Sequence, residues 1–324
     1  LVGSEMCIRD SSRMPRLWKW MYEVSDRRNM AEKPVRGIAP VERLLERLLR
    51  EWKPDAVVCT YMVYPYMLDS LASRTGRAVP YLTVVTDSFV INKSWLCSKS
   101  PLWAVTDPWT RAIMEEKGLP QDRLRVTGFP VNPVLGALAE EHPLSWKEGE
   151  PFRVLYFAQR SARHARAELA GMLDANPALH VTCILGRRFR RIYPRIRDLR
   201  ARYGRRLMVR GWTRRVPSYL AASHVVVGKA GGATVHEVLA AARPMLVNFL
   251  LPGQEEGNTR LLEKLGGGSH VSDARALASA LQEMMADGGA QWRRMHENLL
   301  RAGMTGGSGR IADLALKLAE EHTN

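Results

Sequence analysis

A chain of 324 residues, 46% of them apolar, is long enough to bury two domain cores. Its apolar runs, such as 224–227 and 245–251, fall far short of the roughly 18 residues a membrane-spanning helix needs, so a soluble or peripheral protein is expected. A formal charge of +15 favours polyanionic partners: nucleic acid, an anionic membrane face or a phosphorylated substrate. Much of the excess lies between Arg187 and Arg215, where Asp198 is the only acid. Cys7, Cys59, Cys97 and Cys183 share no CxxC spacing, which argues against a zinc site or a disulfide framework and for reduced thiols in a cytoplasmic protein.

Residues 1–11 fit no signal-peptide pattern, because they lack an apolar centre; they resemble translated non-coding or adapter sequence and are set aside. Beyond them, 41–52 has helical periodicity, with Leu44, Leu45, Leu48 and Leu49 on one face. Short β-type runs follow at 56–60, 81–86, 103–105 and 125–127. A helix is predicted over 107–117, with Asp107 as N-cap, Pro108 at its first position and Gly118 beyond its end. The polar stretch 140–150 reads as a linker. A second block has strands at 154–157, 181–185, 207–209, 225–227 and 245–247, separated by helical patterns at 162–175, 193–203, 217–222 and 234–242. Such alternation implies parallel sheets covered on both faces. The tail reads as helices at 274–285, 291–302 and 310–321.

The chemistry concentrates at Gly228-Lys229-Ala230-Gly231-Gly232-Ala233-Thr234, a small-residue loop between a strand and a helix expected to begin at about Thr234. Free N–H groups at a helix start attract phosphate, and Gly231 and Gly232 let an anion approach the backbone. Glu237, one turn in, is within reach of a ribose. A plain strand-to-helix turn explains the same glycines equally well. Neither a Walker loop nor a GxGxxG fingerprint is present. A second segment, Leu251-Pro252-Gly253-Gln254-Glu255-Glu256-Gly257-Asn258, follows the next strand and so emerges at the same carboxyl edge of the sheet. Its amides and carboxylates suit sugar hydroxyls, although Gln254 and Glu255 also suit a helix cap.

These two segments are similar to the KAGG…E and PGQE..N pattern of family 28 glycosyltransferases, in the group of monogalactosyldiacylglycerol synthases and diacylglycerol glucosyltransferases. Pro15-Arg16-Leu17-Trp18-Lys19-Trp20-Met21-Tyr22, Pro54-Asp55, Cys59-Thr60, Thr86-Asp87, Trp95 and Thr127-Gly128-Phe129-Pro130-Val131 fall in the same family order. The resemblance implies an α/β chain of GT-B class: two Rossmann-like domains whose parallel sheets face each other across a cleft. It divides the chain into an acceptor-side domain at 12–145, a UDP-sugar domain at 150–307, and a last helix at 308–324 that returns to the first domain. It also implies that the family's first strand, first helix and His base precede Met14, so the chain reads as truncated and its catalysis as impaired.

On that resemblance Gly231, Gly232, Ala233 and Thr234 cradle the UDP diphosphate, Glu237 takes the ribose, and Gly211 and Trp212 line the uracil pocket. Gly253, Gln254 and Glu255 hold the donor sugar and Asn258 supports their loop. Arg160 and Ser161 approach the phosphates, and Asp87 is an acceptor-side polar candidate. The implied reaction moves a hexose, galactose or glucose, from UDP to diacylglycerol on the inner face of the cell membrane. It needs no cofactor and no metal, since no DxD pair lies near the motif. Basic and aromatic residues from Arg13 to Tyr22 and the Arg187–Arg215 stretch suit an anionic membrane surface. Alternatives are a UDP-GlcNAc 2-epimerase or a peptidoglycan GlcNAc transferase on the same fold. A basic nucleic-acid-binding protein is the rival of another class, but no aromatic-basic platform supports it and nucleic acid is not an expected partner.

Overall fold

The computed structural model describes residues 39–141, 144–251 and 253–323, with the side chains of 139, 254 and 323 left out of the description. The chain divides into two compact units. One runs to Pro130 and includes the short stretch ending at Gly257 and the tail from Gly306. The other holds Val131–Leu251 and Asn258–Thr305.

In the first unit, β1 (Val57–Cys59), β2 (Tyr81–Val84), β3 (Leu102–Val105) and β4 (Leu124–Val126) form a wholly parallel sheet in chain order. α1 (Ala39–Trp52) precedes it, and its Leu45 and Leu49 pack towards Cys59, Leu68 and Tyr81. α2 (Val63–Thr75) links β1 to β2, and α3 (Pro108–Glu116) links β3 to β4. The cap expected of α3 is present: the Asp107 carboxylate accepts the Thr110 N–H at 2.8 Å, and Pro108 opens the helix.

The second unit is built on β5 (Phe152–Phe157), β6 (Leu179–Ile184), β7 (Leu207–Arg210), β8 (Val225–Lys229), β9 (Met245–Phe249) and β10 (Gly268–His270). Their order is β10-β9-β8-β5-β6-β7, all parallel. Its helices are α4 (Val134–Glu141), α5 (Ala162–Ala175), α6 (Phe189–Ile192), α7 (Arg197–Tyr203), α8 (Val216–Ala221), α9 (Gly232–Ala240), α10 (Gln254–Lys264) and α11 (Ala274–Ala302), the division between units falling inside α10. α11 is interrupted by non-helical backbone over Ala286, Asp287, Gly288 and Gly289, where two separate helices were expected.

Two features depart from the sequence expectations. Of the stretch 140–150, read as a linker, residues 144–150 are tied into the second unit: Trp146 is 4% exposed, lies edge-on to Phe152 at 5.3 Å, and donates its indole N–H to the Glu150 carbonyl. One large apolar side chain outweighs the polar composition around it. β10 was not foreseen, because a glycine-rich strand has poor intrinsic propensity. Its Gly268 sits so close to β9 that an added Cβ would lie 2.4 Å from the Met245 carbonyl oxygen.

The tail completes the first unit. α12 (Gly307–Thr323) lays Ile311, Leu314, Ala315 and Leu318 against Leu82, Val84 and Ala104. Its start is fixed by backbone proximity: the Arg310 guanidinium donates to the Thr127 carbonyl at 2.6 Å, and a Cβ on Gly307 would lie 2.1 Å from the Phe129 carbonyl oxygen. Gly309 has open space around it. Gly307→Ala is therefore expected to destabilise the protein by about 1–3 kcal/mol through backbone displacement. Gly309→Ala, inside a helix, is expected to be neutral or slightly stabilising. Chemical denaturation of the two variants checks this.

At the other end of the second sheet, His224 is 1% exposed, stacks on Phe152 at 5.1 Å and meets the edge of Trp292 at 5.3 Å. Its Nδ1 accepts the Arg153 backbone N–H at 2.8 Å, which leaves no room for a second ring proton. Burial, then the nearby Arg153 charge, push its pKa down to about 4. The folded pKa lies below the ordinary His value, so this stability is complete above about pH 6.5 and is lost as pH falls towards 4, by on the order of 3 kcal/mol. Thermal unfolding from pH 7 to 4.5 should show the loss. His224→Gln, less stable at pH 7, should show a flatter profile.

Candidate functional site

Strand order reverses between β5 and β8: from β5 the chain winds outward through β6 and β7, and from β8 it winds the other way through β9 and β10. A crevice at such a switch point, beyond the carboxyl ends of the strands, is where open parallel sheets bind ligands. β8 is buried on both faces at Val225, Val226 and Val227. It also runs further than expected. Gly228 and Lys229 pair with Val247 and Phe249 of β9, so they are strand and not loop. At Gly228 a Cβ would come within 3.4 Å of Phe157.

α9 consequently starts at Gly232, two residues before Thr234. Gly231 is its N-cap, in extended conformation and with no side-chain capping bond. The Val235 N–H is the first to bond back, to the Gly231 carbonyl at 2.9 Å. Helix geometry leaves the N–H groups of Gly232, Ala233 and Thr234 without an intrahelical acceptor, at the positive end of the helix dipole. Glu237, one turn further on, is half-buried, and burial raises its pKa. Among the described residues its carboxylate has no hydrogen-bond donor or cation as partner. Asn258, 1% exposed, donates its Nδ2 to the Ala230 carbonyl at 3.0 Å and so braces the turn, while its buried Oδ1 takes no hydrogen bond.

On the β5 side of this switch point, Ser161 caps α5, its hydroxyl accepting from the His164 N–H. Arg160 reaches over the Phe249 ring, 5.7 Å from its centroid, and lies 3.7 Å from the Glu168 carboxylate. Glu168 is 2% exposed and also accepts the Tyr156 hydroxyl at 2.6 Å and the Asn248 amide at 2.7 Å. This buried carboxylate was missed in the sequence. Its one legible sign was Asn248, a polar residue in the otherwise apolar run 245–251.

The remaining expected residues are placed as follows. Gly211 follows β7 and packs beneath Phe189, which stacks on Tyr193 at 4.7 Å. Trp212 is 60% exposed, with the Arg214 guanidinium 5.6 Å from its ring centroid. Three strand spacings, about 14 Å, separate β7 from β8. Glu255 lies in the first turn of α10 and is buried; Gly253 and Gln254 precede it in the stretch that belongs with the first unit. Pro252 and the Gln254 side chain lie outside the described residues, as does the basic-aromatic stretch from Arg13 to Tyr22. Asp87 is 1% exposed and accepts the Trp95 indole N–H at 2.7 Å, which gives it a structural partner. Part of the arginine-rich stretch serves structure too: Arg206 donates to the carbonyls of Leu173 and Asn176 at the end of α5. No group of three or more His, Cys, Asp or Glu able to hold a metal occurs among the described residues. No helix among them is long and apolar enough to cross a membrane.

Comparison with known proteins fits this geometry. Residues 5–131 match the family described as monogalactosyldiacylglycerol (MGDG) synthase, and residues 168–307 match the glycosyltransferase family 28 C-terminal domain. The first match begins inside the stretch 1–11 that composition had set aside, so that stretch is not wholly foreign. The processive diacylglycerol beta-glucosyltransferase of Staphylococcus carnosus (strain TM300) is 24% identical over 252 residues, covering 76% of this chain and 63% of that protein. Its namesake in Bacillus subtilis (strain 168) is 23% identical over 285 residues, covering 86% and 73%. Among solved structures, UDP-GlcNAc 2-epimerase from Neisseria meningitidis bound to UDP-GlcNAc aligns with a TM-score of 0.63 at 14% identity, over 88% of this chain and 83% of that one. That likeness concerns the GT-B fold. With its two parallel sheets and both family matches in their expected order, the chain belongs to the family 28 glycosyltransferases, in the group of the MGDG synthases.

Proposed function

We propose that the protein transfers a hexose from a UDP-sugar to diacylglycerol. The observation that carries this reading is the uncapped start of α9 with the unpaired Glu237 one turn inside it. A half-buried carboxylate without a partner is a cost to the fold, and a vicinal diol that donates two hydrogen bonds offsets it. A diphosphate on the N–H groups of Gly232, Ala233 and Thr234 leaves its ribose next to Glu237. The uracil then extends along the carboxyl edge of the sheet towards Gly211 and Trp212. The relatives' names supply the acceptor, diacylglycerol, and a glucosyl donor.

Transfer breaks the bond between the sugar and the diphosphate, so negative charge grows on the departing UDP. N–H groups already aimed at that position stabilise it without reorganising, and the Arg160 charge adds to the effect. The acceptor hydroxyl gives up its proton to a general base as it attacks. Gly253, Gln254, Glu255 and Asn258 are assigned to the donor sugar, with Asn258 holding the turn at Ala230. Asp87, which accepts the Trp95 indole N–H, is assigned to the acceptor side. The donor is cytoplasmic and the acceptor lies in the bilayer, so we place the protein peripherally on the inner membrane face, with exposed members of the Arg187–Arg215 stretch facing anionic lipid.

Glu237→Gln is expected to weaken UDP binding at least about tenfold in calorimetry, the size of a lost charged hydrogen bond. Because burial raises the Glu237 pKa, the ionised carboxylate destabilises the fold above that pKa. The same variant should therefore unfold at an equal or higher temperature at pH 7, with the gain shrinking as pH falls. Unchanged UDP affinity would remove the assignment. With the upstream segment that the family resemblance implies joined to the chain, incubation with UDP-[14C]glucose or UDP-[14C]galactose and diacylglycerol vesicles should give an organic-soluble glycolipid. An epimerised nucleotide sugar from UDP-GlcNAc, with no lipid product, would favour the epimerase reading.

A further inference from the structure

The buried carboxylate of Glu168 has three partners and no place in the mechanism so far. It accepts Tyr156 Oη from β5 at 2.6 Å and Asn248 Nδ2 from β9 at 2.7 Å, and faces Arg160 at 3.7 Å. A carboxylate taken this far out of water survives only when its oxygens are satisfied and a cation is near. Tyr156 and Asn248, both themselves buried, donate to the same oxygen, Oε2, and leave Oε1 to face Arg160. Burial, followed by the Glu168 charge, holds the Tyr156 hydroxyl well above its usual pKa, so it remains a donor. The cation is the remaining partner, and its position is informative.

Arg160 leaves the end of β5, yet its guanidinium lies over Phe249 at the end of β9. β8 runs between those two strands, and Phe249 is registered against Lys229, the last residue of β8. The arginine therefore crosses the carboxyl end of β8, where the chain turns through Ala230 and Gly231 into α9. At 3.7 Å the contact with Glu168 is an ion pair and not a hydrogen bond, so it aims the guanidinium without occupying its N–H groups. Arg160 is 25% exposed, open enough to meet a ligand.

We propose that Glu168 is a positioning residue: held by Tyr156 and Asn248, it anchors Arg160 across the end of β8 so that the guanidinium meets the diphosphate of the donor nucleotide. The inference rests on the UDP reading above. In a double-mutant cycle, UDP affinity is measured by calorimetry for the wild type, Arg160→Ala, Glu168→Gln and the double variant; uridine affinity is measured by ligand-observed NMR. Arg160→Ala and Glu168→Gln are each expected to weaken UDP about tenfold or more. The double variant should be no weaker than Arg160→Ala, and uridine, which carries no phosphate, should bind all four alike. Tyr156→Phe, which removes a donor but keeps the charge, should show a smaller loss of UDP with uridine unaffected.

Independent, multiplying losses in the double variant would overturn the proposal. So would wild-type UDP affinity in Glu168→Gln, or an equal loss of uridine and UDP, which is the mark of general damage to the sheet. If the wild type binds no UDP at millimolar concentration, the nucleotide reading itself fails, and this proposal with it. If Glu237→Gln weakens UDP while Glu168→Gln does not, the nucleotide site stands and only the positioning role is lost.

Discussion

The second unit depends on one constraint: the start of α9 leaves backbone N–H groups that no part of the helix can satisfy. They open at a switch point because β8 lies beside β5, and the chain winds away from that pair in both directions. Nothing caps them from a side chain, since the N-cap is Gly231. A serine or aspartate there would have stabilised the helix and put an oxygen where we propose that the diphosphate binds. The choice of glycine keeps the positive end of the helix open, at the expense of helix stability.

Around that opening the sequence places polar groups where an ordinary core would have apolar ones. Glu168, Asn248, Asn258 and Glu237 all lie near the carboxyl ends of strands otherwise filled with valine and leucine. Each costs desolvation. Glu168 recovers it through three partners, Asn258 recovers part of it through the Ala230 carbonyl, and Glu237 recovers none among the described residues. That gradient, from the paired Glu168 to a Glu237 carboxylate with no partner among the described residues, supports the proposed division between groups that hold the site and groups that meet a ligand. The opposite end of the same sheet shows the contrast: Phe152, His224, Trp292 and Trp146 pack there without an opening, and the His224 ring is fixed neutral.

The first unit solves a different problem. Among the described residues its sheet has four strands, and the helix lying on β2 comes from the far end of the chain. The Thr127-Gly128-Phe129 turn, which the family resemblance had singled out, is where α12 docks. Gly307 is glycine because the Phe129 carbonyl occupies the space of a side chain.

Much of this was legible in the residue order. Alternating β-type runs and amphipathic stretches mark nine of the ten strands among the described residues, because strands buried on both faces read as short apolar runs. Asp107-Pro108 marks the start of α3, because a capping side chain followed by proline has few other uses. The two glycine-bearing segments, with Glu237 and Asn258 at their spacing, mark the family and the expected nucleotide site by themselves. Tertiary structure alone decided the rest. β10 exists because β9 offers a free edge to a glycine that can approach it, not because residues 268–270 prefer extended backbone. Trp146 binds the supposed linker to the core through a contact that no local pattern announces. Glu168 reads in sequence as one more helical acid. It becomes the anchor of Arg160 only when parallel pairing brings Tyr156 and Asn248 from two separate strands to the same carboxylate, and local sequence does not encode which strands will be neighbours.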